Sequence, residues 1–138
     1  MPFVLDTTAL SALMRSEPAV VRRLLRVEPT EVWVPQPVVA EVRYGLDRLP
    51  RSRRKAALEL RATELLSALS RAPWTDEVSA RFGAIKADLE HRGVRIEDFD
   101  VAIAAHAVSL DAVLVTRNVR HLARVHDLRV EDWSSQPG

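Results

Sequence analysis

The 138-residue sequence predicts an α/β fold, a mostly parallel central sheet flanked by helices. Two observations carry this. Short apolar runs alternate along the chain with longer segments whose apolar residues recur at helical spacing. No repeat, linker or low-complexity tract divides the chain, and a 47% hydrophobic, 28% charged composition is that of an ordinary globular domain. We expect one domain over residues 1–133 and a frayed tail over 134–138.

Phe3 to Leu5 is a buried strand that stops at Asp6. Thr7 or Thr8 then caps a helix over Ala9 to Arg15. Pro18 suits the first turn of a second helix, with Val20, Val21, Leu24 and Leu25 on one face. Glu31 to Val34 is a second strand, ended by Pro35, and Pro37 opens a helix to about Arg48 with an apolar stripe of Val38, Val39, Val42, Leu46 and Leu49. After Pro50 a long helix runs from about Ser52 to Ser70, and Pro73 ends it. Thr75 caps the next helix, which carries Val78, Phe82, Ile85 and Leu89 and closes at Gly93. Glu97 to Ser109 is apolar nearly all round, including Phe99, and so reads as a buried helix. Ala112 to Val115 is a buried strand leading to Thr116, Arg117 and Asn118. A short helix around Leu122 and a strand at Leu128 to Val130 complete the pattern.

Parallel sheets collect ligands at the carboxyl ends of their strands. Asp6 ends the first strand, and Thr116 and Asn118 end the Ala112 strand, so two strand ends deliver polar residues to one edge. Asp6 as a plain helix cap is the competing account. A solvated helix charge is the usual fate of a lone Glu, but Glu41 borders the buried face of its helix, beside Val38 and Val42, which weakens that account. Gly45, one turn on, would permit close approach by a neighbouring backbone. At about 100° per residue Asp100 shares a face with Ile103, Ala104 and Ala107, whereas Asp98 points about 200° away and is left to the helix cap.

These stretches form a set. Val4-Leu5-Asp6-Thr7, Val39-Ala40-Glu41-Val42-Arg43-Tyr44-Gly45, Asp100 to Ala107 and Leu114-Val115-Thr116-Arg117-Asn118 resemble the PIN domain, and more narrowly the toxin nucleases of VapBC toxin–antitoxin pairs. The ending Val130-Glu131-Asp132-Trp133 is similar to theirs as well. Asn118 stands where many members carry a fourth acid, Thr8 where Asn or Ser is common, and Leu122 where Phe is frequent. The resemblance implies a PIN-like three-layer sandwich and an endoribonuclease that leaves 5′-phosphate and 3′-hydroxyl ends. It also implies a homodimer, and an antitoxin whose C-terminal segment lies in a groove that the helices of Pro18–Arg26 and Ser52–Ser70 would line.

Three converging carboxylates repel, by about 4 kcal/mol per pair at 4 Å and an effective dielectric near 20. A hard divalent cation removes that conflict, and an all-oxygen set selects Mg2+ or Mn2+ over zinc. The expected ligands are Asp6, Asp100 and Glu41, with Glu41 alternatively the general base and Thr116 and Asn118 orienting groups. A catalytically silent RNA- or protein-binding module on the same fold is the rival, and nothing in a pure binder calls for three acids at one edge.

Other classes are excluded. There is no cysteine for a disulfide or thiolate site, no Gly-rich phosphate loop, and no leader or span, so a cytoplasmic protein is expected. A net charge of +1 gives no overall attraction for nucleic acid, so local patches must supply it. Arg48, Arg51, Arg53, Arg54 and Lys55 are one such cluster, facing phosphate, an acidic partner or only solvent. His91, His106, His121 and His126 have no metal-ligand spacing, and Trp33, Trp74 and Trp133 read as core or interface residues.

Overall fold

The computed structural model describes residues 1–135, and among these a five-stranded sheet is flanked by seven helices. All pairings are parallel and the strand order is β3-β2-β1-β4-β5. The strands are β1 (Phe3–Leu5), β2 (Val32–Pro35), β3 (Ser70–Ala72), β4 (Val113–Val115) and β5 (Arg129–Glu131). The helices are α1 (Thr7–Met14), α2 (Pro18–Leu24), α3 (Gln36–Asp47), α4 (Arg53–Ala68), α5 (Asp76–His91), α6 (Asp98–Ser109) and α7 (Val119–Leu122).

The chain builds outward from β1 in both directions, through β2 and β3 on one side and β4 and β5 on the other. Parallel crossovers are right-handed, so α1 to α4 cover one face and α5 to α7 the other. The packing agrees: α1 meets α2, α3 and α4, whereas α5 packs along α6. The order reverses between β1 and β4, and that reversal point is where open parallel sheets bind ligands. Phe3 is in register with Val113 and Leu5 with Val115, so Asp6 and Thr116 emerge side by side.

The core follows the expected stripes. Val4, Leu5, Leu10, Leu13, Val34 and Leu114 are fully buried, and on α6 Ala104 and Ala107 are small enough to bring the helix close to the sheet. His106 is buried on α6 beside the Trp74 ring, a structural placement as its position on the helix predicts. Its Nδ1 lies 2.8 Å from the Ala102 carbonyl, an acceptor, so Nδ1 carries the proton. Nε2 is buried without a hydrogen-bond partner among the described residues, an environment that disfavours a second proton on the ring. Burial therefore lowers the His106 pKa from 6.5. The unfolded chain takes up this proton first on acidification, so the stability that His106 contributes is complete above pH 6.5 and falls as pH drops toward the folded-state value. Thermal melts of His106→Leu should accordingly lose less Tm between pH 7.5 and 5.5 than the parent. Equal losses would remove His106 as the cause.

Several elements depart from expectation. Asp6 itself caps α1, its carboxylate accepting the Ala9 N–H at 2.9 Å, in place of Thr7 or Thr8. The long helix stops at Ala68, because Ser70 to Ala72 pairs with β2 as an edge strand. Leu25 lies beyond α2 and is exposed, as is Phe99 in the first turn of α6. Asp98 makes no cap hydrogen bond; it pairs with Lys86 of α5 at 3.0 Å. Open space surrounds the Gly45 Cβ position, so no neighbour approaches there. Of the tail, Ser134 and Ser135 bond to Asp132, and Gln136 to Gly138 lie outside the described residues. No helix among the described residues is long and apolar enough to cross a membrane.

Candidate active site

The site forms at the sheet's reversal point. Asp6 leaves β1 with its N–H donating to the Val115 carbonyl at 3.0 Å, which fixes it against β4. Its carboxylate is 3% exposed and accepts from the Thr8 hydroxyl at 2.6 Å as well as from Ala9. The Thr8 hydroxyl in turn accepts the Arg117 N–H at 3.1 Å, tying the β1 turn to the β4 turn. Thr116 is buried, its N–H donating to the Glu131 carbonyl at 2.9 Å and its hydroxyl accepting from the Asn118 N–H at 2.9 Å. Asn118 is exposed at the start of α7.

Glu41 comes from α3 and Asp100 from the first turn of α6, two helices that pack together. The Glu41 carboxylate is half-buried and accepts a short hydrogen bond from the Thr7 hydroxyl. Asp100 is half-buried. Burial raises its pKa first, and the negative charges of Glu41 and then Asp6 raise it further, while His121 opposes them. Burial likewise raises Asp6, partly offset by the hydroxyls of Thr116 and Thr8 and the Ala9 amide. The charges of Glu41 and Asp6 thus both bear on Asp100.

They are not gathered into a ready-made cage: among the described residues no three acidic, histidine or cysteine side chains stand close enough to do so. Their chemistry still suits a hard cation. The donors are all oxygens, the carboxyls of Asp6 and Asp100 are held in an environment that disfavours their charge, and an added positive charge would relieve both. On donor type, the set fits Mg2+ or Mn2+.

Thr7, Thr8 and His121 are the residues that sequence reasoning misses as parts of this site. It gives the two threonines only to capping, though their place directly after Asp6 brings their hydroxyls to the acids. His121, three residues beyond Asn118, has no ligand spacing to mark it. A cleft of about 220 Å3 adjoins Glu41, lined by Thr7, Ser11, Gly45, Arg54 and Leu58 among others. It is built from α1, α3 and α4. Of the five clustered cations Arg54 reaches it, while Arg48 lies over the Tyr44 ring and Lys55 donates to the Leu49 carbonyl.

Comparison with known proteins adds a second line. The family model described as PIN domain matches residues 3–128. The chain is 31% identical over 133 residues to ribonuclease VapC2 of Haemophilus influenzae, covering 96% of this chain and 98% of the relative. It is 28% identical over 134 residues to the tRNA(fMet)-specific endonuclease VapC of Shigella flexneri, covering 97% and 99%. Among solved structures, VapBC2 from Rickettsia felis bound to a DNA fragment from its promoter has a chain that superposes with a TM-score of 0.86 at 25% identity, covering 96% of this chain and 99% of that one.

Proposed function

The chain belongs to the PIN domain family, and from that premise we propose that it is the ribonuclease toxin of a toxin–antitoxin pair, a cytoplasmic endoribonuclease dependent on Mg2+ or Mn2+. The single observation that carries the catalytic reading is that the buried Asp6 leaves β1 beside Thr116 at the reversal point of the sheet, on the side where α3 with Glu41 and α6 with Asp100 pack together.

Asp6 and Asp100 would hold the cation, with Glu41 beside them. When bound, such an ion neutralises the acids, polarises the scissile phosphate and lowers the pKa of water. Glu41, steadied by the Thr7 hydroxyl, takes the proton from the attacking water. Asn118 and Thr116 orient the reacting groups, and the Thr8 hydroxyl keeps Asp6 turned to its place. Water adds to phosphorus and the 3′-oxygen leaves with a proton, giving 5′-phosphate and 3′-hydroxyl ends. The cleft beside Glu41 is the place for an antitoxin segment, which would shut off the acids from RNA, and the protein works as a homodimer.

The test is RNA cleavage with end mapping. Cleavage should appear with Mg2+ or Mn2+, stop in excess EDTA, and be lost in Asp100→Asn. Cleavage that persists in EDTA rejects the metal, and cleavage that persists in Asp100→Asn rejects the site.

A further inference from the structure

A nuclease with a net charge of +1 and three acids at its centre must attract a polyanion by some local feature. Next to the acids lies an open cavity of about 550 Å3 lined by Arg117, Asn118, Arg120, His121 and Arg124. Among the described residues no acidic side chain lines it. Asn118 and Arg117 belong to this cavity, and their N–H groups bond the Thr116 and Thr8 hydroxyls of the catalytic edge, so the cavity borders that edge.

The arginines are held in different ways. Arg117 pairs with Glu17. Arg124 donates from Nε to the His121 carbonyl at 3.1 Å and from Nη2 to the His121 Nδ1 and toward the Arg95 carbonyl at 3.5 Å, and has no carboxylate partner among the described residues. Its guanidinium is therefore positioned by two carbonyls and the His121 ring, and no carboxylate among the described residues offsets its charge. Arg120 is exposed and makes no ion pair among the described residues. A planar guanidinium fixed by carbonyls, next to a second unpaired one, suits phosphate oxygens.

We infer that the cavity beside α7 seats the phosphodiester backbone of single-stranded RNA flanking the scissile bond, with Arg120 and Arg124 holding its phosphates. This rests on the ribonuclease reading for the identity of the polyanion. RNA is favoured over an acidic protein segment because the cavity shares Asn118 with the catalytic edge: a chain entering the acids from this side must cross it. The two arginines are positioning residues that set where the backbone lies, and they supply the attraction that the whole-molecule charge does not.

The experiment measures binding of a fluorescein-labelled single-stranded RNA by anisotropy between 50 and 200 mM salt, with Asp6→Asn as the parent protein. Adding Arg120→Ala and Arg124→Ala should weaken binding about tenfold at the lowest salt. The slope of log affinity against log salt should become shallower by roughly 0.7 for each phosphate that is no longer neutralised. Arg124→Lys should recover most of the slope, separating charge from the backbone bonds. Arg81→Ala on α5, distant in sequence and paired with Glu77, is the control and should match the parent. Unchanged affinity and slope in the natively folded double variant would overturn the proposal and leave the cavity to an acidic partner. An otherwise wild-type protein that cuts no RNA with Mg2+ or Mn2+, yet binds it through Arg120 and Arg124, would reject the ribonuclease reading while leaving the seat in place.

Discussion

Asp6→Asn should abolish RNA cleavage and at the same time raise the stability of the protein measured in EDTA. Asparagine is nearly isosteric and caps helices as well as aspartate does, so the bond from the Ala9 N–H survives. What disappears is a charge 3% exposed to solvent. Burial raises the Asp6 pKa above its ordinary 3.8, so the folded state holds this proton more tightly than the unfolded chain. The stability linked to that preference is complete below about pH 3.8 and is lost as pH rises through the folded value. At neutral pH wild type therefore carries the cost of the buried charge, and of its repulsion with Asp100, whereas the variant does not. The gain should appear as a Tm in EDTA at neutral pH that is higher for the variant than for wild type. The activity change lies in the other direction. Losing an outer support of a metal ligand lowers activity by roughly 10- to 100-fold, so a residue that itself holds the cation should lose more than ~100-fold. A variant that is stabilised but still cuts RNA within tenfold of wild type would reduce Asp6 to a helix cap. One that is inactive and also destabilised would contradict the charge argument. Metal titration followed by Tm adds a third reading, since added Mn2+ should raise the Tm of wild type and have little effect on the variant.

This opposition between stability and function also explains what the sequence discloses. β1 and β4 can be read from it because strands covered on both faces are short continuous apolar runs, and Asp6 and Thr116 are conspicuous as polar residues ending them. Asp100 can be placed because helical periodicity puts it on the side of Ile103 and Ala104, both buried. β3 leaves no such trace. It is an edge strand of three residues, Ser70-Arg71-Ala72, with the central arginine exposed, and its pairing with β2 is decided by tertiary contact rather than pattern. Phe99 shows the converse failure: the buried stripe of α6 narrows in its first turn, so an apolar residue there faces solvent. The roles of Thr7 and Thr8 are hidden because a threonine after a strand is equally suited to capping. Which hydroxyl meets Glu41 and which meets Asp6 depends on how α3 and α6 approach the β1 turn, and no spacing within the chain encodes that approach.

The largest stability effect is expected at the end of the chain. Trp133 is 2% exposed and the bulkiest fully buried side chain. Its ring meets Phe3 of β1 edge-on at 5.4 Å, and the Arg23 guanidinium of α2 lies 5.6 Å from its centroid. Its indole N–H donates to the Glu131 carboxylate at 3.1 Å, which also accepts from Arg23 at 3.0 Å. The residue thus clamps α2, β1 and β5 together. Trp133→Ala removes the ring, leaves a cavity and frees the Glu131 carboxylate, so a loss of about 3–5 kcal/mol is expected. Against a typical total of roughly 5–15 kcal/mol, that is enough to unfold a marginal protein at 37 °C. Trp133→Phe keeps the packing on Phe3 and gives up the indole hydrogen bond, so it should cost less than half as much. The consequence reaches the acids, because the carbonyl of Glu131 holds the N–H of Thr116, and Thr116 flanks Asp6. Cleavage by Trp133→Ala should therefore decline at temperatures below its own melting transition, while Trp133→Phe retains near-normal activity. Urea unfolding of both variants, with RNA cleavage followed at 20 °C, separates the two effects. A loss under 1 kcal/mol in Trp133→Ala would mean that β5 is held by its backbone pairing with β4 alone, and that the C-terminal tryptophan does not support the catalytic edge.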